Sequence, residues 1–266
     1  MLRLARFISV IEGAVNYGNP LQILLQRIFM RCGVMTIVDR QTGVSVKAMR
    51  HSYPMFGETW YQRDYDVAGC PLRKDDLVVD IGANQGFFTC YAAQRGARVY
   101  AFEPNPRAYE LLRKNISSNG FEDRVHADGV AVSDFEGEAE LTCSSFRDGG
   151  ANTIHPQRAE RVASEVGQNG RVRVKVARLS SLIPANRGFR LLKLDCEGSE
   201  LAILRDLKAP GLFDSIAVEY HEHAYPIESL IECLLGFGMY QVYMLRGHII
   251  HAVRTDVLLA YAKSLG

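Results

Sequence analysis

Apolar and polar positions follow two rhythms along this chain, and the change of rhythm divides it. From residue 77, short apolar runs alternate with stretches of helical spacing: Leu77–Ile81, a helix over about 86–95, Arg98–Glu103, a helix over about 106–119 ending at Asn119-Gly120, and Val125–Ala131. The same rhythm returns in Phe189–Asp195, a helix over about 198–208, Ser215–His221 and a helix over about 226–237. Such alternation predicts an α/β fold, a doubly wound, mostly parallel sheet with helices on both faces. Tyr240–Leu245, His248–Val253 and Asp256–Ala262 read as short strands that close one sheet edge with antiparallel pairing.

The rhythm breaks over about 135–180. Ala139–Ser144 and Arg171–Ala177 are strand-like, and Arg171-Val-Arg-Val-Lys-Val alternates strictly, as in a strand with one solvated face. Between them Arg147–Gly170 is polar and has no core periodicity, which predicts an inserted β-hairpin with a long mobile tip. Residues 1–35 read as two helical segments broken at Tyr17-Gly18-Asn19-Pro20. In the second segment Leu21, Leu24, Leu25, Ile28 and Phe29 give one buried face. A hairpin turning near Gln41–Gly43 follows, and then a helix over 58–70 that lies across the crevice. We divide the chain into an N-terminal helical and hairpin cap, 1–70, and a cofactor-binding domain, 71–266.

Composition narrows the class without naming it. The 266 residues are 47% hydrophobic and 23% charged, as in an ordinary soluble globular protein. A net charge of +1 gives no electrostatic case for a nucleic-acid partner. Six cysteines without a CxxC pair read as reduced thiols, the pattern of a cytoplasmic protein. No apolar run is long enough to span a bilayer. Met1–Glu12 reads as an amphipathic helix docked on the domain; weak peripheral membrane attachment through Arg3 and Arg6 is the lesser reading. Oligomeric state stays open, and a homo-oligomer is compatible with this composition.

The chemistry concentrates at strand ends. Leu77–Ile81 carries Asp80 and runs into the turn Gly82-Ala83-Asn84-Gln85-Gly86, and the next strand closes on Glu103, 21 positions after Gly82. Strand, glycine turn, helix and acid-ended strand build a nucleoside crevice, with the acid suited to a ribose diol. A dinucleotide site needs a middle glycine where this chain has Asn84, and Asp80 before the turn would repel a pyrophosphate. Both departures favour S-adenosylmethionine, which has no phosphate and carries one amino group. Candidate cofactor residues are therefore Asp80, Gly82, Ala83, Asn84 and Gly86, with Glu103, Pro104 and Asn105 at the second strand end. At the third, Asp128 is the candidate for the adenine amino group, with the Gly129-Val130 backbone as the alternative.

A second cluster is Leu192-Lys193-Leu194-Asp195-Cys196-Glu197-Gly198-Ser199-Glu200. Strand alternation puts Lys193 and Asp195 on one face, and a lysine inside an apolar strand needs a charge partner, either Asp195 or Glu219. Glu197 and Glu200 stand where the next helix begins. Glu219 and His221 share a face at the end of the following strand, where His221 could serve as a base near neutral pH. The candidate catalytic set is Asp195, His221, Lys193 and Glu219. A histidine with two acids also suggests a metal, but ligand number and geometry are not encoded in sequence, and we assign none.

In these segments the chain resembles the FkbM-type family of S-adenosylmethionine-dependent methyltransferases. The resemblance rests on Val79–Thr89, Phe102-Glu103-Pro104-Asn105-Pro106, Ala131-Val132-Ser133-Asp134 ahead of Gly137, and Leu192–Glu200. It covers about residues 58–262; Ser181 stands where the family usually has aspartate. The resemblance implies a class I methyltransferase, Rossmann-like fold and methyl transfer to a hydroxyl oxygen of a sugar, glycolipid or secondary metabolite. It implies that Asp80, Gly82, Asn84, Gly86 and Glu103 bind the cofactor, and that Lys193, Asp195, Glu197 and Glu200 lie beside it. The rival functions are a nicotinamide-dependent oxidoreductase and a non-catalytic cofactor-binding protein.

Overall fold

The computed structural model describes residues 33–49, 52–143, 152–154, 159, 170–245 and 248–265. The two N-terminal helical segments and most of the 147–170 loop lie outside them.

Seven strands form the central sheet: β3 (Leu77–Ile81), β4 (Arg98–Phe102), β5 (Val125–Asp128), β10 (Phe189–Leu194), β11 (Phe213–Glu219), β12 (Tyr240–Leu245) and β13 (Ile249–Arg254). Their spatial order is β12-β13-β11-β10-β3-β4-β5. Only β13 runs against the others, pairing antiparallel with both β11 and β12. This is the doubly wound, mostly parallel α/β sheet that the rhythm predicts. The order reverses between β3 and β10, so their carboxyl ends diverge into a crevice.

Helices follow the strands as the periodicity predicts. After β3 comes α2 (Phe87–Gln94), whose near-complete burial reflects a segment apolar on all sides. After β4 comes α3 (Pro106–Ser118), started by Pro106 and capped by Asn105, whose side chain accepts from the amides of Arg107 and Ala108. After β10 and β11 come α5 (Glu200–Asp206) and α6 (Ile227–Gly236).

Three elements depart from expectation. The third strand does not continue through Ala131. It ends at Asp128, and β6 (Ala131–Ser133) leaves the central sheet to pair with β9 (Arg171–Arg178). The break falls at Gly129, where a Cβ would stand 3.3 Å from the Tyr109 ring. The predicted hairpin exists as β7 (Gly137–Cys143) paired antiparallel with β9, but β6 and the short β8 (Asn152–Thr153) widen it to four strands. Asp256–Ala262 is no strand but most of α7 (Thr255–Lys263). Val257, Leu258 and Tyr261 recur at helical spacing, and Leu258 and Tyr261 cover Gly69, where a Cβ would stand 2.5 Å from Leu258 Cδ1.

At the N-terminal side, β1 (Val34–Val38) and β2 (Ser45–Met49) form the expected hairpin. The helix expected over 58–70 starts earlier. It is α1 (Tyr53–Gly57), entered through Pro54 and continued by a wider π turn, Glu58–Gln62, which stops at Arg63 with φ 56°. These segments are fused to the sheet, because Met35, Ile37, Val46, Phe56 and Trp60 share one apolar cluster with Val78, Phe88 and Leu112. The free edge of β2 is closed by side-chain amides. Asn119 bonds the N–H and C=O of Ser45, Asn115 those of Lys47, and Gln85 accepts from the amide of Met49. Gln85 belongs to the glycine turn, so the hairpin and the crevice are mechanically joined.

Candidate active site

The carboxyl ends of β3, β4, β10 and β11 surround a cavity of about 250 Å³, closed on one side by Met55, Glu58, Thr59 and Tyr65. Of the expected residues, Gly82, Ala83, Asn84, Glu103, Pro104, Lys193, Asp195 and Glu219 line it.

The glycine turn is shaped by contact with the neighbouring strand end. The amides of Gly82 and Ala83 both donate to the carbonyl of Phe102, at 3.0 Å each. Gly82 has φ 74°, and a Cβ there would lie 1.7 Å from the carbonyl oxygen of Asp195. Only glycine satisfies both the left-handed backbone and the close approach. Glu103 is 5% exposed, and each oxygen accepts one backbone amide at 2.8 Å, Oε2 from Asn84 and Oε1 from Asn105. Each oxygen keeps lone-pair capacity for a diol. Burial pushes this carboxyl up to about 7, against the pull of those two amides.

Lys193 resolves the question of its partner. Its nearest carboxylate is Asp80 Oδ1 at 3.1 Å; Asp195 Oδ2 is at 3.5 Å, and the Gly82 carbonyl accepts at 2.8 Å. The parallel register sets Lys193 directly beside Asp80. Burial alone would lower the lysine, but Asp80 and Asp195 outweigh it and hold the ammonium firmly protonated. Asp80 is wholly buried, and its other oxygen accepts from Thr89 Oγ1 at 2.6 Å. It therefore lies under the turn and neutralises Lys193, with no face open to an amino group in the cavity.

The segment after β10 folds around Glu200. This buried carboxylate accepts from the amides of Cys196 and Gly198 and from Tyr225 Oη at 2.9 Å. His221 Nδ1 stands 3.0 Å from Glu200 Oε1, a close ionic contact outside hydrogen-bond alignment. Its Nε2 faces Glu197 at 3.5 Å and Asp195 at 3.9 Å. Burial would lower the imidazole, but Glu200, Glu197 and Asp195 raise it to about 10. Burial would likewise raise Glu200, but His221 and the amides hold it at about 2. His221 is thus a cation near neutral pH, seated behind the wall, and not the neutral base expected of it.

Other expected residues have local duties. Gly86 starts α2 with φ 87°, and a Cβ would meet Leu112 at 2.7 Å. Asn105 caps α3. Asp128 pairs with His126 at 3.0 Å, away from the cavity lining. Val130 lines a smaller adjoining pocket with Pro104 and Gly82.

Tyr65 had no sequence signal. It lies in an irregular stretch, yet its hydroxyl stands 3.1 Å from Asp195 Oδ2 and 2.9 Å from Glu219 Oε2. Glu219 is raised to about 8, first by the charge of Asp195 and then by burial. Asp195, Glu219 and His221 each turn a donor atom to within 4.8 Å of the others.

Comparison with known proteins fits this geometry. Residues 80–244 match the model of the methyltransferase FkbM domain. The chain is similar to the 31-O-demethyl-FK506 methyltransferase FkbM of Streptomyces tacrolimicus, 31% identical over 216 residues, covering 69% of this chain and 80% of that one. It is 27% identical to the hexuronic acid methyltransferase AglP of Haloferax volcanii, over 69% of this chain and 74% of that protein. A solved FkbM methyltransferase structure from Methylobacillus flagellatus KT overlaps with TM-score 0.49 at 15% identity, covering 74% of this chain and 47% of the other.

Proposed function

The chain belongs to the FkbM methyltransferase domain family, and from that premise we propose that it moves a methyl group from S-adenosylmethionine to a hydroxyl oxygen. The observation that carries this reading is the charge of the crevice. Glu58, Glu103, Asp195, Glu197 and Glu219 line it, and although Glu103 and Glu219 are raised, the remaining acids keep it negative because the lining cation, Lys193, is engaged by Asp80. A cavity of this sign favours a cationic sulfonium and amine and disfavours a pyrophosphate. Gly82 leaves backbone room for the ligand, and Glu103 offers one acceptor site on each oxygen to a ribose diol. The chemistry of these residues therefore fits S-adenosylmethionine better than a nicotinamide dinucleotide. Gly82, Ala83, Asn84, Glu103 and Pro104 would hold it.

When bound, the cofactor supplies a methyl on a positive sulfur, a group that an oxygen lone pair can take while sulfur keeps the bonding pair. The protein must hold the acceptor hydroxyl and remove its proton. We assign the proton to Asp195. It lines the cavity, and Tyr65, Lys193 and His221 face it, so a negative charge is well placed there. Lys193 and His221 are cations and cannot accept it. An alkylated oxygen is a strong acid, so a carboxylate suffices as base.

The relatives are named for methylating 31-O-demethyl-FK506 and a hexuronic acid, which supports a sugar, glycolipid or secondary-metabolite acceptor. Nucleic acid is the poorer partner for an acid-lined crevice. The test pairs thermal shift with S-adenosylmethionine or NAD against transfer of tritiated methyl into fractionated metabolites and lipids. Stabilisation by the former and an O-methyl product support the reading. Stabilisation by NAD alone, or label on carbon or nitrogen, overturns it; binding without any transfer points to a non-catalytic cofactor protein.

A further inference from the structure

The Tyr65 hydroxyl has one hydrogen and two carboxylate neighbours. It stands 3.1 Å from Asp195 Oδ2 and 2.9 Å from Glu219 Oε2, and the tyrosine is 8% exposed. One hydrogen makes one of these bonds. The other short oxygen–oxygen contact would set lone pair against lone pair unless a second proton lies in it. The group of three therefore holds one proton beyond the phenol's own.

We propose that Tyr65 is a positioning residue that makes Asp195 and Glu219 share a single proton, with Glu219 holding it and Asp195 left open to the acceptor hydroxyl. The order along the chain of oxygens is Glu219–H to Tyr65, and Tyr65–H to Asp195. The surroundings choose that order. Lys193 Nζ lies 3.5 Å from Asp195, and His221 Nε2 lies 3.9 Å from it, so negative charge settles on Asp195. Glu219 ends β11 with no cation within ion-pair distance among the described residues. Of the remaining charged groups, Asp80 is held by Lys193, Glu197 faces His221, and Glu58, on the π turn before Tyr65, adds negative charge that opposes a second ionisation. The raised titration of Glu219 agrees with this placement.

Burial keeps the phenol itself protonated, and its ring is fixed edge-on to Phe88 at 5.4 Å, with the Lys193 ammonium 5.3 Å from the ring centroid. The bridge is thus rigid, and it comes from the segment before the central sheet. No atom leaves the protein in this arrangement: when Asp195 takes the acceptor's proton, the phenol hydrogen stays between the same oxygens.

The inference rests on Asp195 as base, but its test does not need an acceptor. Carbon-13 NMR of the ligand-free protein, labelled at glutamate Cδ, follows each carboxyl through pH, and Glu219→Gln identifies the Glu219 signal. The bridge stabilises the singly protonated pair, so Tyr65→Phe should bring the upper titration down from about 8 by about one pH unit, the worth of one hydrogen bond; a phenol that only donates to the Glu219 carboxylate holds it lower, so a rise on its removal overturns the proposal. A Glu219 signal that titrates near 4, or one that Tyr65→Phe leaves in place while the fold is intact by amide spectrum, overturns the proposal. If the signals behave as expected but Asp195→Asn transfers methyl normally, proton sharing stands and the assignment of the base falls.

Discussion

Replacing Lys193 by methionine keeps the length of the side chain and removes its charge. Asp80 is then a wholly buried carboxylate whose Oδ1 has no hydrogen-bond partner, since the 3.1 Å ionic contact with Lys193 is what compensates it. Thr89 continues to serve Oδ2. Breaking a buried pair from one side costs about 3–5 kcal/mol, because the remaining charge cannot return to water. The lost bond to the Gly82 carbonyl adds about 1 kcal/mol and loosens the turn that faces the ligand. Urea unfolding of Lys193→Met should therefore show a loss of about 5 kcal/mol. Asp80→Asn combined with Lys193→Met removes both charges and should recover more than half of that. Because Lys193 is raised above its unfolded value, its contribution is complete below the lysine range and fades only as pH rises through the higher folded value. The pairing in the parent is thus intact throughout pH 6 to 9. A loss under about 1 kcal/mol, or a double variant no better than the single one, would refute the pairing and with it the account of Asp80.

Four further outcomes follow from the site. Gly82→Ala puts a Cβ 1.7 Å from a backbone oxygen at φ 74°, so it should cost at least about 3 kcal/mol by thermal unfolding and abolish cofactor binding by calorimetry. Glu103 is raised to about 7. The folded state then holds the extra proton between the unfolded value and 7, so this group's contribution to stability falls as pH rises through that window. Glu103→Gln should consequently be more stable at pH 8 by about 2–3 kcal/mol, while binding S-adenosylmethionine more weakly and without the tenfold-per-unit decline of the parent below pH 7. His221→Gln should destabilise the protein most below pH 6.5, and the difference should vanish as pH passes about 10, the reverse of what a neutral base would give. Asn115→Ala, which unpairs the part-buried amide and carbonyl of Lys47 in β2 and the buried carbonyl of Gln85, should lower stability by about 2–3 kcal/mol without changing α3 helicity by circular dichroism.

The sequence by itself determined the parts whose causes are local. The order of the central-sheet strands and their helices from Leu77 to Gly236 follows from runs of four to thirteen residues, and the periodicity of those runs survives folding almost unchanged. Gly82, Glu103, Lys193 and Asp195 were legible because strand, turn and acid recur at short spacing. The tertiary structure decided what depends on pairing between distant segments. The register of β10 beside β3, set by total sheet packing, made Asp80 rather than Asp195 or Glu219 the nearest partner of Lys193. Three carboxylates of the segment after β10, brought against the end of β11, turned His221 from a candidate base into a cation, which neither segment specifies alone. Tyr65 sits 130 positions before Asp195 and 154 before Glu219 in a stretch without periodicity, so its hydroxyl acquires meaning only when the fold brings the three together. Gly129 and Gly69 act in the same way, admitting a ring or a helix that the local pattern does not announce. Hydrophobic period is a property of neighbours in the chain; charge compensation and proton placement are properties of neighbours in space.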